Sequence, residues 1–454
     1  MSITHRRGRR AAPRTLAARR ALTLLAAAAS LGAAPRVSAQ RPAAGRLLLG
    51  DVYADVARAN PRIAAANALA TAAQARVAGA RRPPDPQLQL GFMNYTLPGL
   101  APMATLGMSQ LQLMQMLPLG GKLRSAGRAA DARASATGER ASDVAWETRS
   151  AAAMAFYDLH ATDGRLDVAR ETIRLLQDVE RTAQAMYRVG EGRQADVLRA
   201  QVAIARMTED TLRMRAMRAT MVAKLNALLD RGAEMEPGRA ALPSFPDELP
   251  SRAVLDSLAA TERPMLRAGT DEVRAAEASQ QLARREIWPD LQVGVQYGQR
   301  AGEMGTERMG SLMLGASIPV FARDRQLRMR EEAAAMTRMA QADLAAMRAE
   351  TRGRIGEAYA NLGRARSLAR LYGTTVLPQA EAALASALAA YRVGGVDFMT
   401  LLDGRMTVNE YRQELHVLEA DQGKAWAELE MLVGRALFDP NRAPATTAGV
   451  GGTR

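Results

Sequence analysis

The stretch YRVGEGRQADVLRAQ at 187–201 is answered without a gap by YRVGGVDFMTLLDGR at 391–405, an offset of 204. An internal repeat sets the architecture before any local feature does. The echo runs on through the chain in the same order. Asn60-Pro61 is matched by Arg263-Pro264, and PQLQLG (86–91) by PDLQVG (289–294). Leu117-Pro118-Leu119 is matched by Ile318-Pro319-Val320, and AKLNALLDR (223–231) by AELEMLVGR (427–435). One unit of about two hundred residues is used twice, in tandem.

Outside the repeats, the first 39 residues carry eight Arg, no acid and the apolar run ALTLLAAAASLGAA (21–34), followed by Val37-Ser38-Ala39. This pattern predicts a secretory signal peptide cut after Ala39. The expected segments are therefore 1–39 (signal peptide), 40–230 (first repeat), 231–250 (proline-rich linker), 251–438 (second repeat) and 439–454 (disordered tail). The formal charge of +14 includes the leader's Arg, and export argues against nucleic acid as a partner. The chain has no Cys, which excludes disulfides, thiolate metal sites and a lipid-modified Cys. No run after the leader is long and apolar enough for a membrane helix, whereas strand spans would leave only a weak trace.

Within a unit the predicted core is helical. No Pro occurs between Pro118 and Pro237, and Ala, Arg, Leu, Met and Glu dominate. A helix is predicted over 121–187, roughly 100 Å long, with a return over 194–230 and the YRVG segment as the turn between them. A helix over 51–82 is expected to stack end to end on the shorter return. The second copy predicts legs over 322–390, kinked by Pro378, and 397–436. Leu401, Val408, Leu415, Leu418, Ala425, Leu429 and Leu432 follow alternating three- and four-residue steps, and so do Val197, Ile204, Met207, Met214, Leu225 and Leu228. That is a coiled-coil seam, broken by Gln422 and Arg218 at equivalent places. Two strand-like segments precede each long helix. Leu291, Val293, Val295 and Tyr297 alternate with polar or glycine residues, and so do Leu312, Leu314 and Ile318. In the first copy (87–95, 106–117) the alternation slips near Gln110-Leu111, which predicts a bulge.

Helix, strand hairpin, very long helix, VG tip and returning helix, doubled behind a signal peptide, resemble the TolC-like outer-membrane efflux family. The carriers are Asn60-Pro61, PQLQLG, QMLPLGGKLR (115–124), IPVF (318–321) and the two YRVG tips. The resemblance implies a mainly α chain with a β-barrel part. Three chains would supply one twelve-stranded barrel in outer-membrane lipid, standing on an α-helical periplasmic tunnel. It also implies a homotrimer that serves as the exit duct of a tripartite efflux pump, with a periplasmic adaptor and an inner-membrane pump as partners. By the same resemblance Asp196, Tyr391, Thr400 and Asp403 fall at gate positions, with Arg188 or Arg193 as partners for the acids. Arg188, Val189, Gly190, Arg392, Val393 and Gly394 match the tips that meet the adaptor. Thr400 departs from the acid expected there. The alternatives are a duct for type I protein secretion and, from another class, a soluble periplasmic adaptor.

No catalytic constellation or cofactor motif emerges. After the leader only His160 and His416 remain, both on helices and read as packed or solvated residues. GGK at 120–122 lacks the rest of a phosphate loop. The 24 Met, among them Met103, Met108, Met114 and Met116, serve equally as core filler or as soft-metal contacts.

Overall fold

The computed structural model describes residues 45–103, 106–302 and 305–441. The leader expectation for 1–39, and all but three residues of the tail expectation, lie outside them.

The first copy begins with β1 (Arg46–Leu47), α1 (Leu49–Ala59) and α2 (Pro61–Ala80). Strand β2 (Gln87–Met93) follows, then a small hairpin of β3 (Tyr95–Thr96) and β4 (Ala101–Pro102), then β5 (Met108–Leu117). The long helix α3 (Lys122–Arg188) and its return α4 (Gln194–Leu228) complete it. After β6 (Arg239–Ala240) the second copy repeats the order. It comprises α5 (Arg252–Glu262), α6 (Pro264–Arg285), β7 (Leu291–Gly302), β8 (Gly305–Ala316) and α7 (Gln326–Leu371), then α8 (Leu377–Arg392) and α9 (Phe398–Val433).

Helix α3 runs 67 residues without a break. At 1.5 Å per residue it is about 100 Å long, so no single return can cover it. Instead α2 and α4 both pack along it, and their junction is one residue. Asn60 caps α2 by accepting from Arg62 N (2.9 Å) and Ile63 N (3.4 Å), while its Nδ2 donates to the terminal α4 carbonyl at Leu228 (2.8 Å). The expected end-to-end stack is therefore present, but the single helix over 51–82 is two. Pro61 opens α2 and holds Asn60 extended (ψ 120°), because the residue before Pro avoids helical geometry. In the second copy, Gly434 ends α9 at φ +75° against the break at Arg263-Pro264. A Cβ there would lie 2.8 Å from Glu262 O and from the Pro264 ring, so the junction demands Gly for both backbone and space.

Proline also shapes the second long leg. Pro378 has no N–H to give and its ring crowds the preceding turn. The ladder widens into a π-helical turn over Tyr372–Val376 immediately before α8, and the expected kink becomes a bulge in the helix. The seam positions face inward: Ala200, Met207, Met214 and Leu225 of α4 are buried, as are Leu401, Val408, Leu418, Ala425, Leu429 and Leu432 of α9. The polar break at Arg218 is an ion-pair station, with Asp163 at 2.7 Å and Glu236 at 2.8 Å. Near the middle of the molecule Trp426, Tyr157 and Phe156 are fully buried. Phe245, from the segment after β6, and Phe438, after α9, pack at a tilt against Tyr157 and Trp426 respectively. That linking segment is tied down as well, since β6 pairs in parallel with β1.

The Asn60 junction is testable. Asn60→Ala removes a helix cap and an interhelical bond together, and should lower stability by about 1–2 kcal/mol, read as an earlier unfolding midpoint. Asn60→Ser keeps a cap acceptor, loses the donor to Leu228, and should fall between wild type and Ala.

Candidate functional site

The four main strands form one antiparallel sheet in the order β2-β5-β7-β8. Their register sorts the side chains into two faces. Leu88, Leu113, Val295 and Leu312 stand opposite one another in one row across all four strands, and Leu90, Leu111 and Tyr297 in another. These residues are solvent-exposed in the chain; Leu90 and Leu312 reach 67% and 69%. The opposite face carries the row Gln89, Gln112, Gln296 and Ser311. Gln296 donates to Gln110 within that polar face. An apolar face that packs on nothing, backed by a polar one, suits lipid on one side and water on the other.

The bulge expected near Gln110-Leu111 is not there: β5 pairs with β7 without interruption from Met108 to Leu117. The irregular pattern has two local causes. Gln115 falls on the apolar side but sits near the foot of the sheet, donating to Pro84 O at 2.7 Å. Gly91 stands opposite Gln110 and leaves it room, since a Cβ there would lie 2.7 Å from the Gln110 amide. The strands join the helices at a fixed corner. Lys122, only 7% exposed, is held by Asp290 (2.8 Å) and Glu286 (3.4 Å). Trp288 lies exposed beside Gly120.

The far end of the helices holds the tips. Gly190 (φ +83°) and Gly394 (φ +73°) turn the chain. Their amides donate to Tyr187 O and Tyr391 O, both at 3.1 Å. A Cβ at either Gly would touch nothing within 4 Å, so Gly is needed there for its backbone freedom alone. Val189 and Val393 are 71% and 83% exposed. Each tip thus presents one apolar side chain, beside Arg188 and Arg392 respectively.

Just inside the tips the two hairpins share a core that includes Ala183, Ala200, Leu384, Tyr391, Phe398 and Leu401. Of the four expected gate residues, the fold brings Asp196 and Tyr391 together. Tyr391 is buried edge-on against Phe398 (6.0 Å), and burial plus the nearby Asp196 charge raises its phenol pKa. Asp196 sits in the first turn of α4. Its partner is Arg199, one turn along at 3.7 Å, in place of the expected Arg188 or Arg193. The reason is geometric: i and i+3 share a helix face, whereas Arg193 is the residue at the helix entry. Asp403 is exposed and lines a groove of about 430 Å³ with Arg199, Arg206, Val202, Leu402 and Met406. Thr400 is occupied otherwise. Its N–H and hydroxyl both donate to Asp397, and these bonds hold that carboxyl below its ordinary range. The spacing Asp397-x-x-Thr400 is a helix-start pattern, so Asp397 was legible in the sequence. Arg199 and Arg206 carry no such local signal.

Among the described residues no helix is long and apolar enough to cross a membrane. The sequence profile of the family described as "Outer membrane efflux protein" matches residues 52–231 and 255–435, one match for each copy. No curated protein sequence matches the chain. Among solved structures, CusC superposes with a TM-score of 0.74 at 16% identity, over 86% of this chain and 92% of its own. The outer membrane protein VceC of Vibrio cholerae gives 0.74 at 18% identity, over 86% and 96%. The open MtrE outer membrane channel of Neisseria gonorrhoeae gives 0.69 at 15%, over 86% and 89%. At such identities these likenesses concern the fold.

Proposed function

The chain belongs to the outer membrane efflux protein family, and from that membership we propose that it is the exit duct of a tripartite pump, built as a homotrimer. The observation that carries the reading is the four-stranded sheet, lipid-suited on one face and polar on the other, with β2 and β8 as open edges. An open edge cannot face hydrocarbon, because its N–H and C=O groups would go unpaired. Four strands are too few to close on themselves, since bacterial barrels begin at eight. Three chains supply twelve, with β8 of one meeting β2 of the next around a closed ring. The polar face lines the lumen, and the helices extend it as a tunnel into the periplasm. The exposed apolar rows also speak against a soluble adaptor. Conduction of this kind is passive and needs no catalytic group.

Under threefold symmetry the tips form a ring at the far end. Val189, Gly190, Val393 and Gly394, flanked by Arg188 and Arg392, are the surface on which a periplasmic adaptor docks in this proposal, coupling the duct to an inner-membrane pump. Asp196 and Asp403, repeated three times near the axis, act as the gate. Carboxylates gathered in a ring favour cations. Arg199, which pairs with Asp196 and lines the Asp403 groove, moderates that field. Tyr391 sets the wall behind it, and Thr400 fixes the start of α9.

Three measurements test this. Detergent-extracted protein should have the mass of a trimer; a stable monomer with full strand content by circular dichroism would overturn the closed barrel. Gly190→Trp combined with Gly394→Trp projects bulk into open space and should abolish efflux while the trimer persists. Undiminished efflux in that double variant would remove the tips from the docking surface. Asp196→Ala with Asp403→Ala should raise single-channel conductance in planar bilayers and weaken cation preference. Unchanged conductance with an earlier melt would leave both acids as helix-start charges only.

A further inference from the structure

The chain has three His, and only His160 and His416 lie within the repeats. They stand 256 positions apart in different copies, on α3 and α9, yet their rings meet edge to face at 6.1 Å. Glu419, one turn beyond His416, completes the group. Its Oε2 is 3.2 Å from His416 Nδ1 and 3.7 Å from His160 Nε2. One ligand atom from each of the three residues lies within 4.8 Å of the other two.

The hydrogen bonding of His160 shows what this group is arranged to hold. Its Nδ1 lies 3.1 Å from the Ala240 carbonyl on β6. A carbonyl can only accept, so Nδ1 carries the hydrogen. In the neutral ring Nε2 then presents a lone pair. That atom is buried and has no hydrogen-bond partner, and it faces a carboxylate oxygen. Two acceptors turned toward one another call for a cation between them. A backbone carbonyl fixing the far nitrogen of an imidazole is also the usual support of a metal-binding His. Donors bound at ordinary zinc distances at two corners of a tetrahedron lie about 3.4 Å apart, and the separations of 3.2 and 3.7 Å bracket that value.

The neighbouring helix is shaped for the same purpose. A Cβ at residue 164 of α3 would lie 2.6 Å from the His416 ring, so Gly164 makes the place where that ring lies.

We propose that His160, His416 and Glu419 form a binding site for one divalent transition-metal ion of the Zn²⁺ type per chain, tying α3 of the first copy to α9 of the second. Two imidazoles and one carboxylate suit Zn²⁺, Co²⁺, Ni²⁺ or Cu²⁺ and are a poor match for Mg²⁺ or Ca²⁺. Three protein ligands leave a fourth position for water. The proposal does not depend on the trimer or on the gate.

The test uses the full-length protein without an affinity tag, extracted in detergent and freed of metal by a chelator. Titration with Co²⁺ should give saturable visible ligand-field bands of a four-coordinate site, at one equivalent per chain and bleached by Zn²⁺. Excess Mg²⁺ should leave the bands unchanged. His160→Asn and His416→Asn should each weaken Zn²⁺ binding at least tenfold by calorimetry, while Glu419→Gln, which keeps shape and hydrogen bonding, should lower it less. Absence of saturable Co²⁺ or Zn²⁺ binding by the wild-type protein would overturn the proposal and leave a proton as the cation between Glu419 and His160. Binding of equal strength in both His variants would overturn it too. If a variant fails to fold, the wild-type stoichiometry and spectrum decide the matter.

Discussion

Hydrocarbon offers no hydrogen bonds, so every backbone group placed in it must find a partner in protein. The β2 and β8 edges meet that requirement only across a boundary between chains. From this one constraint the rest of the proposed assembly follows. The ring must be closed and cyclic, its polar face becomes a lumen, and the helices below inherit its symmetry. The two faces agree with that closure down to the register. A shift of one residue between β5 and β7 would turn Leu111 and Leu113 into the row now held by the glutamines.

A second constraint is length. A helix of about 100 Å must be covered along its whole course, and the chain covers α3 with α2 and α4 placed end to end. The two copies solve the join differently. The first uses a side chain, Asn60, that caps one helix while binding the last carbonyl of the other. The second uses the lack of a side chain at Gly434, which lets α9 end directly on the Arg263-Pro264 break. The duplicated dipeptides Asn60-Pro61 and Arg263-Pro264 thus mark one structural need met by two chemistries.

Several polar residues of the helical seams have partners on other elements. Arg218 reaches Asp163 on α3 and Glu236 in the linking segment. His160 reaches β6, His416 and Glu419. A polar group left alone in such a seam would be costly, whereas a satisfied one fixes register. The two copies are held together where such pairs cross between them, as at Arg412–Glu171 (3.1 Å) and Lys424–Asp158 (3.0 Å).

The sequence by itself determined the duplication, the 67-residue helix to within a residue at each end, the apolar and polar strand faces, the Pro378 disturbance and the tip glycines. Each of these rests on a local term: propensity, a period of two or about 3.5, a fixed proline φ or a positive glycine φ. Such terms act within a turn or a strand and can be read along the chain. Tertiary structure alone decided the choices between elements distant in sequence. It carried the β5 ladder through Gln110 without a bulge and set Asn60, at the head of α2, on the last carbonyl of α4. It set Asp196 of the first copy beside Tyr391 of the second, and Arg199 in one groove with Asp403. It also brought together two His that the sequence presents as unrelated. Periodicity states which face of a helix is buried but not what lies across from it, because that depends on how the helices are offset along one another. Junctions such as Asn60 on Leu228 set those offsets.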